Sequence, residues 1–536
     1  MKKIILCKSL TLAVLAAIFM FVACKQIPTG EIFEVKNNEG ITINYMVTDG
    51  SAKHVEVVGK FIAEYRNTYA GTIVVPQTVE YEGTEFTVVA VGKNAFAYSE
   101  NLRAVHLPST VVELKPNSFR ECPRLNKVKL PDNLKVIGEW SFNGCTAIDS
   151  LCIPQSIKVI RNAAFSDAGC KYISVPEKID TIEFGAFSKF SVPKPLIIND
   201  ELFAFPRSFT STYHIPANIV AIQDHAFEGC YLSKVVIDET VKEIGAYAFS
   251  RCYNLDSVVI PKSIEQIPDN CFEGCHDLRT CIIGNNIKGI GFGAFDDCEK
   301  LKMIHIPSSV SKIGRYAFRG CWHLEHVSME NGIREIDDKA FEGCEDLSTI
   351  SFPSSLRKLG DEVFSKCQNL RSVELPETME FIGKRAFAGC KSLINVRLPK
   401  SMKDIGAEAF EGCEKLKEAI LPSGLDSLGT RMFDGCKSLY KLVLPQGIKE
   451  LCMASIRHCE SLEFIEIPSS VTKIGAQTFG SGGKTVLTIK MESPNTPQCH
   501  EDAFMFRKVK LLIPKGSKDN YIWAKGWMKT GTPNEY

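Results

Sequence analysis

Cys344-Glu345-Asp346-Leu347-Ser348-Thr349-Ile350-Ser351-Phe352-Pro353-Ser354-Ser355-Leu356-Arg357-Lys358-Leu359-Gly360-Asp361-Glu362-Val363-Phe364 is one turn of a repeat, and the next turn opens at Cys367, 23 residues after Cys344. Ile350 and Phe352 alternate with Thr349 and Ser351, the period of a strand with one buried face. Pro353 cannot donate to a ladder and ends that strand. Leu356 and Leu359 form a second apolar pair before a turn at Gly360. The pair that follows, Val363-Phe364 here and Ala409-Phe410 two turns on, is expected to open a short helical turn.

The Phe column fixes the period. Phe249, Phe272, Phe295, Phe318, Phe341, Phe364, Phe387, Phe410 and Phe433 are each 23 apart. The column extends back to Phe96 and forward through Ile456 to Phe479, giving 17 positions. A Pro column accompanies it, as in Pro261, Pro307, Pro353, Pro376, Pro399 and Pro422. One fixed period of this length means a solenoid, in which no unit buries its own apolar face and neighbours stack to share one core.

The pattern L-x-x-[VI]-x-[LI]-P-x-[ST]-[VIL]-x-x-[IL]-G-x-x-A-F-x-x-C is carried by Leu301, Ile304, Ile306, Pro307, Val310, Ile313, Gly314, Ala317, Phe318 and Cys321. It resembles the BspA-like type of leucine-rich repeat, over about residues 70–485. The resemblance implies an α/β-type, right-handed solenoid of about 17 coils. Its inner face would be one parallel β-sheet, with short strands and helical turns outside. It also implies a bacterial cell-surface interaction protein, some relatives of which bind host matrix proteins.

Outside the repeat, residues 1–23 read as a signal peptide. Met1-Lys2-Lys3 is a basic start, and Ser9 to Ala23 is an apolar run too short for a comfortable membrane span. Val22-Ala23-Cys24 resembles the end of a bacterial lipobox, which implies lipidation of Cys24 and an exported chain anchored in the outer membrane. Residues 24–92 read as a linker and β-rich N-terminal cap, with a hairpin turn in Tyr81-Glu82-Gly83-Thr84-Glu85-Phe86. Residues 93–485 hold the repeats, with an irregular insertion at 188–210. Residues 486–536 read as a small C-terminal cap.

Lys plus Arg and Asp plus Glu both number 63, which argues against an electrostatic nucleic-acid binder or a polybasic membrane-surface protein. Of 21 Cys, 13 stand three residues after the Phe column, from Cys122 to Cys459. Their parallel side chains suit a packed, reduced column better than disulfides or a metal ladder. Gly480-Ser481-Gly482-Gly483-Lys484-Thr485 imitates a phosphate loop, but Thr478 replaces the required Gly and a strand, not a helix, should follow. Cys321-Trp322-His323-Leu324-Glu325-His326 offers His326 diagonal to His305, a pair without the third convergent ligand that a metal needs. Glu374 and Arg397 share an outward column, where a cross-strand ion pair accounts for them. No G-x-S-x-G elbow and no H-E-x-x-H occurs. No enzyme, cofactor or metal is expected.

The outward strand position, two residues before the Pro column, is where binding should be sought. It reads Val236, Val259, Ile282, His305, Ser328, Ser351, Glu374, Arg397, Ile420, Val443 and Glu466. Val236, Val259 and Ile282 make an apolar run, with Met303 beside it and Tyr231, Tyr253, His276 and Trp322 along the rim. Such a patch marks an interaction site, unless the segment 188–210 folds over it. A protein ligand from a host matrix or the envelope is expected. A glycan stacked on the aromatic rim, or a purely structural envelope role, stands as the alternative. Surface and periplasmic orientations are both compatible with the sequence, the cell surface being favoured.

Overall fold

A computed structural model describes residues 27–63, 66–480 and 485–536. The expected signal peptide and Cys24 lie outside the described residues. The chain forms two units, one ending at Pro193 and the other spanning Lys194–Tyr536.

Each coil is held to its neighbours along three lines. The turn from Leu301 to Cys321 shows how. Its strand Met303–Ile306 alternates exposed and buried, with Ile304 and Ile306 inward, and pairs in parallel with His326–Met329. After Pro307 a two-residue strand, Lys312–Ile313, pairs in parallel with Glu335–Ile336. Gly314 follows, where a Cβ would stand 2.7 Å from the carbonyl oxygen of Gly291 in the coil before. Coils pack too closely there for a side chain.

The third line differs from the sequence expectation. The segment Gly314–Cys321 is not helical but a chain of tight turns. Ala317 N–H donates to Gly314 and Arg319 N–H to Tyr316, while Tyr316, Phe318 and Gly320 donate to Asp338, Ala340 and Glu342 of the next coil. Alternate amides therefore serve the turn and the stack, and a helical turn would redirect all of them onto their own coil. Tyr316 adopts φ 59° to allow this, and Lys339, Glu362, Arg385 and Glu408 repeat that left-handed conformation. It costs on the order of 1 kcal/mol per non-glycine residue. The intercoil hydrogen bonds offset that cost.

The core follows the period. Phe249 to Phe433 stack ring on ring, with centroids 5.1 to 5.6 Å apart and planes within 12° of parallel. All are fully buried. Each column Cys sits beside this stack and donates its thiol hydrogen to the backbone carbonyl of the Phe one coil earlier, as Cys344 Sγ does to Phe318 at 3.3 Å. Burial pushes the Cys344 thiol well above its ordinary pKa, and the thiols of the column are free.

In the first unit, strands Ile32–Lys36, Thr42–Asp49 and His54–Val58 form an antiparallel meander that joins Thr84–Val91. Thr78–Tyr81 and Thr84–Val91 make the hairpin, with Glu82 and Gly83 both at positive φ. Five coils follow, their inner strands running from Gly71–Val74 to Cys170–Ser174.

In the second unit fourteen short outer strands mark fourteen coils, for about 19 in the whole chain. Two of these stand outside the 23-residue period, the first being an extra irregular coil within the insertion at 188–210, as its sequence implies. Leu196–Ile198 and Glu201–Ala204 form a hairpin whose second strand pairs with Ala221–Ile222, and Phe205 packs on Phe227 at 4.7 Å. At the other end Gln498–Cys499 continues the outer ladder and Phe504 stacks on Phe479 at 5.5 Å. Buried Trp527 then closes the ring column against Phe504.

Candidate binding face

The inner sheet of the second unit has eleven parallel strands in sequence order, from Thr212–His214 to Lys441–Val443. Most of its three-residue strands show the burial order exposed, buried, exposed, so the middle residue belongs to the core and the flanking two to solvent. Val236, Val259 and Ile282 are in direct register on adjacent strands and stay 37%, 50% and 56% exposed. The segment Leu196–Phe209 packs into the coil stack instead of over them.

Met303 lies opposite Thr280 and His326, and is itself exposed. His305 is diagonal to His326, as expected, but turns elsewhere. Its Nδ1 is 2.9 Å from Ser328 Oγ and its Nε2 is 3.4 Å from Glu330. Among the described residues no group of three or more His, Cys, Asp or Glu is placed to hold a metal ion. Along the rim Tyr231, Tyr253 and Trp322 are exposed. Tyr253 lies 5.3 Å from the tilted ring of His276, and His276 faces Glu299 at 4.0 Å. Apolar strand positions and aromatic rim thus occupy the same run of coils.

Two sequence expectations require correction or fall outside view. Arg397 stands in register with Glu374, yet its guanidinium approaches Glu377, at 3.7 Å. The longer reach lets the exposed arginine meet a carboxylate beyond the strand end. Ser481–Lys484 of the phosphate-loop imitation lie outside the described residues, and the strand Leu487–Met491 follows them.

The sequence reading missed a second apolar group on the same sheet face. Ile420 and Val443 are in register and exposed, and Tyr440 and Phe464 stand beside them, also exposed. Tyr440 and Phe464 escaped notice because neither stands in the outward column that was followed: Tyr440 directly precedes the strand Lys441–Val443, and Phe464 opens the strand Phe464–Ile467.

The BspA type leucine-rich repeat region, counted as six copies, matches residues 83–194, 196–321, 266–390 and 358–486. The chain belongs to the BspA-type leucine-rich repeat family. Solved bacterial leucine-rich repeat proteins are similar to the chain. One from Bacteroides ovatus is 26% identical, with 80% of this chain and 94% of that one covered and a TM-score of 0.44. A leucine rich cell surface protein from Faecalibacterium prausnitzii is 20% identical, with 77% and 94% covered and a TM-score of 0.33. The pneumococcal vaccine antigen PcpA is 18% identical, with 95% and 98% covered and a TM-score of 0.37. No curated protein matches the chain. No described helix is long and apolar enough to cross a membrane.

Proposed function

We propose that this BspA-type chain is a non-enzymatic binding protein of the bacterial envelope, displayed at the cell surface through a lipid on Cys24. It holds a macromolecular partner, a host-matrix or envelope protein, on the inner sheet of its second unit. One observation carries the reading: three successive coils place Val236, Val259 and Ile282 outward, where Ser328, Ser351 and Glu374 stand further along the same sheet. Exposed apolar side chains gathered in register favour desolvation by a partner. Tyr231, Tyr253, His276 and Trp322 extend the contact along the rim.

The test is binding of the full chain to a panel of matrix proteins and to a glycan array. Tyr253→Ala with Val259→Ser should weaken the ligand found about tenfold or more, with unchanged thermal unfolding. Undiminished binding removes the patch. Glycans captured with no protein ligand support the second reading, favoured by the exposed rings of Tyr231, Tyr253 and Trp322, in which sugars stack on the rim. No ligand of either kind supports a structural role. Anchoring is tested separately. Cys24→Ala should abolish incorporation of labelled palmitate, and protease applied to intact cells should cleave the chain.

A further inference from the structure

The second apolar group surrounds a recess of about 450 Å³ on the inner sheet, lined by Tyr440, Val443 and Phe464 together with Glu466, Pro468 and Glu492. Its walls combine apolar surface with two carboxylates, and the cations nearby are already engaged. Lys441 Nζ is 2.9 Å from Glu418, which also accepts the Tyr440 hydroxyl hydrogen. Lys490 Nζ is 2.6 Å from Glu466 and lies over the ring of Tyr536 at 5.1 Å. Glu492 accepts only long hydrogen bonds, from Gln446 Nε2 and the Ser469 amide, both at 3.3 Å. It has no ion-pair partner among the described residues.

We propose that this recess receives the side chain of an arginine presented by a polypeptide partner. An arginine has the matching profile: an aliphatic stem that can lie on Val443 and Pro468, and a planar cation that can face aromatic rings. Its forked donors suit a carboxylate with unused acceptor capacity, which a lysine ammonium meets only as a point charge. The recess involves none of the residues at Val236–Ile282, so the assignment stands apart from the patch described above.

The probe is a fluorescent peptide, Gly-Leu-Arg-Leu-Gly, titrated into the full chain by polarisation. Two further peptides replace its arginine with neutral citrulline or with norleucine. Saturable binding of the arginine peptide is expected, about tenfold or more weaker for either replacement, as for loss of a charge-assisted contact. Glu492→Gln should cause a similar loss, since it removes the charge while keeping the side-chain shape and one of the two acceptor oxygens that Gln446 and Ser469 use. Glu325→Gln, away from the recess, should leave the titration unchanged. Equal binding of the citrulline or norleucine peptide overturns the proposal. So does indifference to Glu492→Gln with unaltered thermal unfolding, or the absence of saturable binding by the arginine peptide.

Discussion

The two units build the same coil and show different outward columns. In the first unit that column reads Val74, His106, Lys129, Cys152 and Ser174, of which the valine is half-buried and the other four are exposed and polar or weakly polar. In the second it opens with His214 and then runs Val236, Val259 and Ile282, three apolar residues in succession. One residue earlier on the same strands the two units agree, with Val105, Val128, Leu151 and Ile173 against Val235, Val258, Cys281 and Ile304. The inward position is therefore fixed by packing, whichever unit it serves. The outward position is free of packing, so a run of valine and isoleucine there calls for another cause. The partner proposed above would supply one.

The contrast can be broken most forcefully from inside. Phe318 is fully buried between Phe295 and Phe341, with ring centroids 5.2 and 5.1 Å away. Phe318→Ala should cost about 3–5 kcal/mol, because it removes buried contacts and leaves a cavity. A fall in the urea midpoint reports this, while an unchanged midpoint denies that the ring column holds the coils. On the outward face the expected effect moves from stability to binding. Val259→Ser with Tyr253→Ala should lower partner affinity about tenfold to a hundredfold and leave the urea midpoint in place.

A smaller effect tests the turn side of the coil. Asp434 is buried, which raises the pKa of a carboxylate, but hydrogen bonds from Arg457, His458 and Arg431, together with the charge of Arg457, prevail and hold it below its ordinary value. Its folded-state pKa lies under the unfolded one, so its stabilisation is present above about pH 4 and is lost as the pH falls through the folded value. Asp434→Asn should cost about 1–2 kcal/mol at pH 7, and the difference from the natural chain should shrink below about pH 4. A difference that grows in acid would contradict the assignment. The smallest effect belongs to the first unit, where Lys129→Ser on the polar column should alter neither stability nor partner binding. A loss of affinity there would extend the binding face beyond the apolar run.

Most of the coil could be read from spacing, since a strict 23-residue period leaves little choice about which side chains share a core. The outward column was equally readable, because strand alternation fixes it once the Pro position is known. Three features were hidden for physical reasons. The turn at Tyr316 looks like the start of a helix because its left-handed residue is not a glycine, and the hydrogen bonds that favour it lie in the next coil. The coil at Phe504 departs from the period, since Phe504 stands 25 residues after Phe479, whereas the irregular coil ending at Phe205 was readable from its apolar run. The recess at Glu492 joins side chains from three coils, and only the register brings them together.

Within the second unit the ring column is interrupted at Ile456, where the stack ends at Phe433 and resumes at Phe479. A solenoid is a one-dimensional array in which each coil is secured mainly by its neighbours. Its response to a mechanical load is therefore set joint by joint. A pull along the chain should peel off coils in sequence, each releasing about 80 Å of contour from its 23 residues. Force–extension traces would then show a regular sawtooth. The joints flanking Ile456, where no ring meets a ring, are the places to look for a lower peak.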